Sequence, residues 1–207
     1  MTQPIAQLEG MLVFCKIQEP TDCYEKSKGQ EWKCGIVVDE DQADAWDAVY
    51  PKQGSKIIKT SDFEGIYKTA PPDAFSSEKK QYVITLKKNT KLGNGNPVPE
   101  IYQPTVLLEE GEEAIDITQS QLVGNGSMGY MSVDNWESSK GWVARLKNVL
   151  VTELVPYNKT EGSNYVKGDE FAKRVKAEVA PSKPVAKTVV KKVRPVVEED
   201  ESNNLPF

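Results

Sequence analysis

The chain has 207 residues, a formal charge of −5 and no histidine. The missing imidazole excludes His-based acid–base chemistry, Ser-His-Asp triads and His metal sites. The negative balance excludes capture of nucleic acid by overall charge, so any such binding must rest on local charge. Cys15, Cys23 and Cys34 are odd in number, lack CxxC spacing and without histidine make a poor zinc set. No cofactor or metal is expected. Met1-Thr2-Gln3-Pro4 is not a signal peptide, and no apolar stretch approaches membrane-spanning length. The expectation is a cytosolic chain with free thiols and no membrane partner.

Met11 to Gln18 is apolar and β-prone and predicts a strand. Gln30 to Asp39 places Trp32, Cys34, Ile36 and Val38 at period two, a strand with one buried face. Asp39 can cap a helix from Glu40 to Tyr50, with acids in its first turn and Pro51 after it. Gly54 to Thr60 predicts a short extended segment, and a loop centred on Pro71-Pro72 follows. Tyr82, Ile84 and Leu86 alternate in another strand that ends in Lys87-Lys88. Gly93 to Pro97 is a turn, and Tyr102 to Leu108 an edge strand, because Pro104 cannot donate to a ladder. Glu109 to Asp116 predicts an acidic turn. Gly124-Asn125-Gly126-Ser127 is a tight turn leading into a strand through Trp136. Ser138 to Gly141 reverses the chain into a last strand, Trp142 to Val155. Short strands with one interposed helix predict a small barrel or sandwich, without internal repeat.

From about Pro181 the composition changes. Pro181, Pro184 and Pro195 alternate with Lys183, Lys187, Lys191, Lys192 and Arg194. The expected organisation is a folded domain over 1–160, then a disordered basic linker over 161–197 with a short helix near 168–178. An acidic tail over 198–207 ends the chain.

No nucleophile and base occur at a recognised spacing, and the Gly124–Gly126 segment is not followed by the lysine and helix of a phosphate loop. The expectation is a binding protein and not an enzyme. Aromatic residues interleave with cations on strands instead. Trp32 precedes Lys33, and Tyr82 is followed by Lys87, Lys88 and Lys91. Tyr130 and Trp136 share a strand face, and Trp142 precedes Arg145 and Lys147. Single-stranded nucleic acid is bound by such a set, with bases stacked on rings and phosphates met by lysines. Core packing is the competing role for each ring. If Trp142, Ala144 and Leu146 point inward, Arg145 and Lys147 point outward. Between Tyr50 and Glu100 nine lysines stand against five carboxylates, a local excess suited to a basic cleft. The candidate DNA-binding set is Trp32, Lys33, Tyr82, Lys87, Lys88, Lys91, Tyr130, Trp136, Arg145 and Lys147.

The tail is a second candidate. Glu198, Glu199, Asp200 and Glu201 form an acidic run that must stay hydrated. Ser202, Asn203 and Asn204 then lead to Leu205-Pro206-Phe207. The Phe207 ring can fill an apolar pocket while the terminal carboxylate meets a basic residue. The tail can also compete for a basic cleft on its own domain at high effective concentration.

This end resembles the acidic tip of single-stranded DNA-binding proteins, whose bacterial members finish in an acidic stretch and an aliphatic-Pro-Phe triplet. The segment from Gly124-Asn125-Gly126-Ser127 through Ala144-Arg145-Leu146-Lys147-Asn148-Val149 to Thr152-Glu153-Leu154-Val155 resembles the C-terminal half of the OB-fold in the single-stranded DNA-binding proteins of short-tailed phages. The first half matches only in order of elements. The tail departs from the phage pattern in its few acids and its Leu-Pro-Phe. The resemblance implies a mainly β fold, a five-stranded OB barrel with an inserted helix. It also implies coating of single-stranded DNA in replication, recombination and repair in the cytoplasm of an infected bacterium. The tip would recruit replication proteins such as a DNA polymerase or helicase-primase, and a homodimer is left open. The competing readings are a protein–protein adaptor acting through the C-terminal peptide and an RNA-binding OB module.

Overall fold

The computed structural model describes residues 3–25, 28–139, 141–157 and 189–190. Its elements are β1 (Gln7–Asp22), β2 (Gln30–Val38), α1 (Glu40–Val49), β3 (Lys56–Lys59), α2 (Thr60–Tyr67), β4 (Lys80–Asn89), β5 (Val106–Glu110), β6 (Glu113–Asp116), β7 (Ser127–Ser138), β8 (Gly141–Glu153) and β9 (Val189–Val190). They form one sheet in the order β3-β4-β2-β1-β7-β8-β5-β6-β9. Apart from β9, the expected linker, its helix near 168–178 and the acidic tail lie outside the described residues.

The sheet corrects the expectation of a closed five-stranded barrel. It curls around one core, but among the described residues no ladder joins β3 or β4 back to the far side. β4 comes close to β8 without pairing. Two features explain the gap. At Val149 to Val151 the free side of β8 is occupied by β5, which runs parallel to it. At the near end, Lys88 of β4 pairs with Trp32 of β2 on one side and on the other meets the charges of Asp134, Arg145 and Lys147. Closure requires strand number, tilt and register to agree around the whole circuit, and a charged seam takes the place of the final ladder.

The curl begins at paired glycines. Gly10 of β1 lies opposite Gly129 of β7. A Cβ at Gly10 would sit 1.9 Å from the Val37 carbonyl oxygen, and one at Gly129 2.1 Å from that of Leu150. Neighbouring backbone fills both side-chain positions, so only glycine lets the adjoining strands approach this closely. Inside the curl lies the main core, with Leu8, Leu12, Trp32, Cys34, Ile36, Ile84, Leu86, Met131, Leu146 and Val149. The helix expected at 40–50 closes it. Asp39 accepts a hydrogen bond from the Gln42 amide at 2.7 Å, an N-cap of about 1 kcal/mol. Ala43, Trp46 and Val49 turn inward.

A second, smaller core lies on the outer face of β1, β2 and β4. Met11, Val13, Val37 and Val83 meet Phe63 and Tyr67 of α2, together with Ile58. The sequence expectation put a loop where α2 stands. It also put an edge strand at Tyr102–Leu108 and an acidic turn at Glu109–Asp116, whereas β5 pairs on both sides, with β8 and β6, and the β5–β6 reversal falls at Gly111 with φ 65°.

Candidate nucleic-acid interface

The unclosed seam forms a cleft of about 560 Å³. It is lined by Lys87, Lys88 and Asn89 from β4, Lys91, Leu92, Gly93, Val98 and Tyr102 from the following loop, Glu31 from β2, Asp134 from β7 and Arg145 from β8. Four of the cations expected to bind phosphates thus meet, three from the end of β4 and the loop after it and one from β8. Lys147 is exposed on the same strand as Arg145 and acts on Lys88 through its charge.

Local geometry explains the convergence. Along β4, Tyr82, Ile84 and Leu86 point into the main core, so Lys88 continues the inward face to the rim of the curl. Burial holds the Lys88 ammonium below the ordinary lysine range. Asp134 opposes that shift, while Arg145 and Lys147 add to it. A partly desolvated ammonium among like charges favours an incoming anion. On β8, Ala144 and Leu146 are buried and Arg145 and Lys147 exposed, as the alternation predicts. A bulge follows, because the register jumps between Ser132–Asn148 and Val133–Leu146. The buried set then shifts to Val149 and Val151.

Lys87 reaches the rim of the cleft from the opposite face of β4 and starts a second feature. It pairs in register with Lys33 of β2, and Lys33 pairs with Lys16 of β1. Three lysines therefore cross three adjacent strands, a row about 10 Å long at the usual strand spacing. Lys87 carries an ion pair with Glu31 at 2.8 Å. Lys16 sits over the Tyr157 ring, 5.3 Å from its centroid. The row leads from the cleft to a second hollow of about 240 Å³ lined by Phe14, Cys15, Lys16, Glu19, Lys68, Leu122, Val123, Asn125 and Tyr157.

The expected stacking rings divide sharply. Trp136 is 53% exposed, and the Arg145 guanidinium lies 5.4 Å from its ring centroid. Trp32 is only 7% exposed and belongs to the main core, which removes its face from contact with a base. Tyr82 is buried as well, and its hydroxyl donates to Glu40 at 2.5 Å. That bond, with burial, pushes the phenol up to about 12. Tyr130 shares the outer face of β7 with Trp136, but Glu9 raises its pKa and Glu109 adds to the effect. Two nearby carboxylates make that stretch hostile to phosphate.

Three rings lining the two hollows, Tyr102, Phe14 and Tyr157, escaped the sequence reading. Tyr102 is 61% exposed at the cleft. Its setting among Pro97, Pro99 and Pro104 was a usable signal, because such a segment cannot be a central strand. Phe14 gave no signal, because plain alternation sets it on the buried face of Leu12.

Among the described residues no group of three or more His, Cys, Asp or Glu could hold a metal, and no helix is long and apolar enough to cross a membrane. No protein-family model matches the chain, and no curated protein matches it. Among solved structures, it is similar to the single-stranded DNA-binding protein from bacteriophage Enc34 in complex with ssDNA, at 16% identity over 73% of this chain and 88% of that one, with a TM-score of 0.41. A C-terminal truncation of the same phage protein matches at 15% identity over 73% and 87%, with a TM-score of 0.40. The chain is likewise similar to gp2.5, a single-stranded DNA-binding protein encoded by bacteriophage T7, at 12% identity over 82% and 100%, with a TM-score of 0.40. These neighbours are named for binding and not for catalysis.

Proposed function

We propose that this protein binds single-stranded DNA without base specificity, along the seam cleft and the lysine row that leaves it. The observation that carries the reading is the meeting of Lys87, Lys88, Lys91 and Arg145 around one cleft with Trp136 and Tyr102 beside them. Cations spaced along a groove neutralise a phosphate backbone, and exposed rings stack bases of any identity. A chain of net charge −5 gains no affinity from its overall field, so the local clustering has to supply the attraction.

The role that follows is coating of single strands during phage replication and recombination, with the strand held until an enzyme needs it. The acidic run Glu198–Glu201 and the Leu205-Pro206-Phe207 tip supply the recruiting element, read by a replication protein such as a DNA polymerase or helicase-primase. The same run competes for the basic cleft when DNA is absent.

The test is a gel shift with poly-dT, the same sequence as RNA, and duplex DNA. Preference for poly-dT is the expected result. Preference for RNA points to an RNA-binding module, and no shift with any of the three leaves a protein adaptor.

A further inference from the structure

We infer that Phe14 is a stacking platform for one nucleobase of the bound strand, seated in the hollow at the far end of the lysine row, with Lys16 and Lys68 placed for the adjoining phosphates. This inference rests on the single-stranded DNA reading and extends its path beyond the cleft.

Phe14 occupies a position built for another residue. The β1–β2 ladder pairs Val13 with Gly35 and then Lys16 with Lys33, so Phe14 and Cys15 stand against Cys34 alone. That is a bulge whose first residue adopts φ 49°, the left-handed conformation that such bulges ordinarily fill with glycine. A phenylalanine there is strained. The fold keeps it in place by several contacts. The Phe14 amide donates to Asn125 Oδ1 at 2.7 Å, and Asn125 Nδ2 donates to the Tyr67 carbonyl at 2.6 Å. One side chain thus ties the bulge to the end of α2. It comes from the Gly124–Gly126 turn, whose Gly126 amide also donates to the Leu12 carbonyl at 3.1 Å.

The ring itself completes a series that runs from core to surface. Phe63 and Tyr67 are buried, with centroids 4.8 Å apart, and Phe14 lies 5.0 Å beyond Tyr67 with 39% of its surface exposed. Its ring therefore rests on a fixed base and presents surface to solvent. The bulge also changes the direction of β1, returning Cys15 and Ile17 to the core while Lys16 joins the outer row.

The hollow suits one base. At about 240 Å³ it is smaller than the ~300–1,000 Å³ of drug-sized sites. Leu122, Val123 and Tyr157 give it apolar walls, while Lys16 and Lys68 are cations on its rim and Glu19 an acid. Lys68 is exposed in a left-handed conformation at the end of α2. A flat ring between apolar walls, flanked by two ammonium groups and continuous with a lysine row, fits a nucleotide better than a neutral ligand.

The experiment uses the full chain and a dT oligomer carrying 5-iodouracil at successive positions, photocrosslinked and mapped by peptide mass spectrometry. Affinity is measured in parallel for the native protein, Phe14→Gly, Phe14→Leu and Phe14→Tyr. Crosslinks at Phe14 are expected. Phe14→Gly should melt near the native temperature, since it supplies the residue the bulge prefers, yet bind dT about 5- to 150-fold more weakly. Its salt slope should be unchanged, because no phosphate contact is lost. Phe14→Leu should lose affinity in the same way while keeping apolar bulk, and Phe14→Tyr should retain it. Native affinity in Phe14→Gly and Phe14→Leu, with crosslinks confined to residues of the cleft, overturns this inference and leaves the cleft reading intact. No binding of dT by the native protein overturns both.

Discussion

Replacing Lys88 and Arg145 together by alanine tests how the cleft works. Both line the seam and neither is an ion-pair partner of Glu31, whose bond belongs to Lys87. Each phosphate neutralised on a single strand contributes about 0.7 to the slope of log affinity against log salt. Lys16, Lys33, Lys68, Lys88, Lys91, Arg145 and Lys147 give a native slope of about −5 if each meets one phosphate, with Lys87 left to Glu31. Losing two contacts should bring it to about −3.5. The affinity loss then depends on salt, at about tenfold in 0.2 M and about sixtyfold in 0.05 M. Folding should be little changed, because Arg145 is exposed and the Lys88 ammonium is itself disfavoured by burial. The assay is fluorescence titration of poly-dT at four or more salt concentrations. Parallel native and mutant lines, with only a constant offset, would refute phosphate contact by these two residues.

Other outcomes follow from the same geometry. Trp136→Ala should weaken binding by about 1–3 kcal/mol at unchanged melting temperature, since its ring is half exposed. Trp32→Ala should cost about 3–5 kcal/mol of stability, read by urea unfolding, because that ring is in the core. Raising the pH should weaken DNA binding before ordinary lysines titrate near ~10.4, because burial lowers the Lys88 pKa and its charge is lost first. Lys88→Arg should shift that loss to higher pH, and identical alkaline profiles would remove Lys88 from the site. Tyr82 carries the opposite sign for folding. Its phenol is raised to about 12, so the contribution is complete below the ordinary ~10 and fades as pH rises through the folded value. Tyr82→Phe should flatten that part of the alkaline unfolding curve. Deleting 198–207 should tighten poly-dT binding, most at low salt where screening is weak. Phe207→Ala should leave that competition in place while abolishing capture of a replication enzyme.

Much of the scaffold was legible because it follows period two. The alternation at Trp32–Val38, Tyr82–Leu86 and Trp142–Lys147 marks β2, β4 and β8, and the Asp39 cap marks α1. Closure was not legible. Nothing in a linear sequence says that β5 will occupy one side of β8 or that Lys88 will meet Arg145 across an open seam. The same limit divided the site residues. Cations at strand ends, such as Lys87 and Lys88, were readable as surface, whereas the fate of each ring depended on the partner facing it. Trp32 and Trp136 look alike in sequence, yet one lies inside the curl and the other beside Arg145. Phe14 escaped altogether because a bulge inverts alternation, and a phenylalanine hides a seat that glycine would have advertised.

The most direct test of the central claim is amide hydrogen exchange of the full chain with and without a saturating dT oligomer. The account predicts added protection at the end of β4 and the loop through Tyr102, at Val143 to Lys147 of β8, and along Phe14–Lys16 and Lys33. The acidic β5–β6 hairpin should be unaffected. Protection confined to that hairpin, or none at the seam despite tight binding, would contradict it.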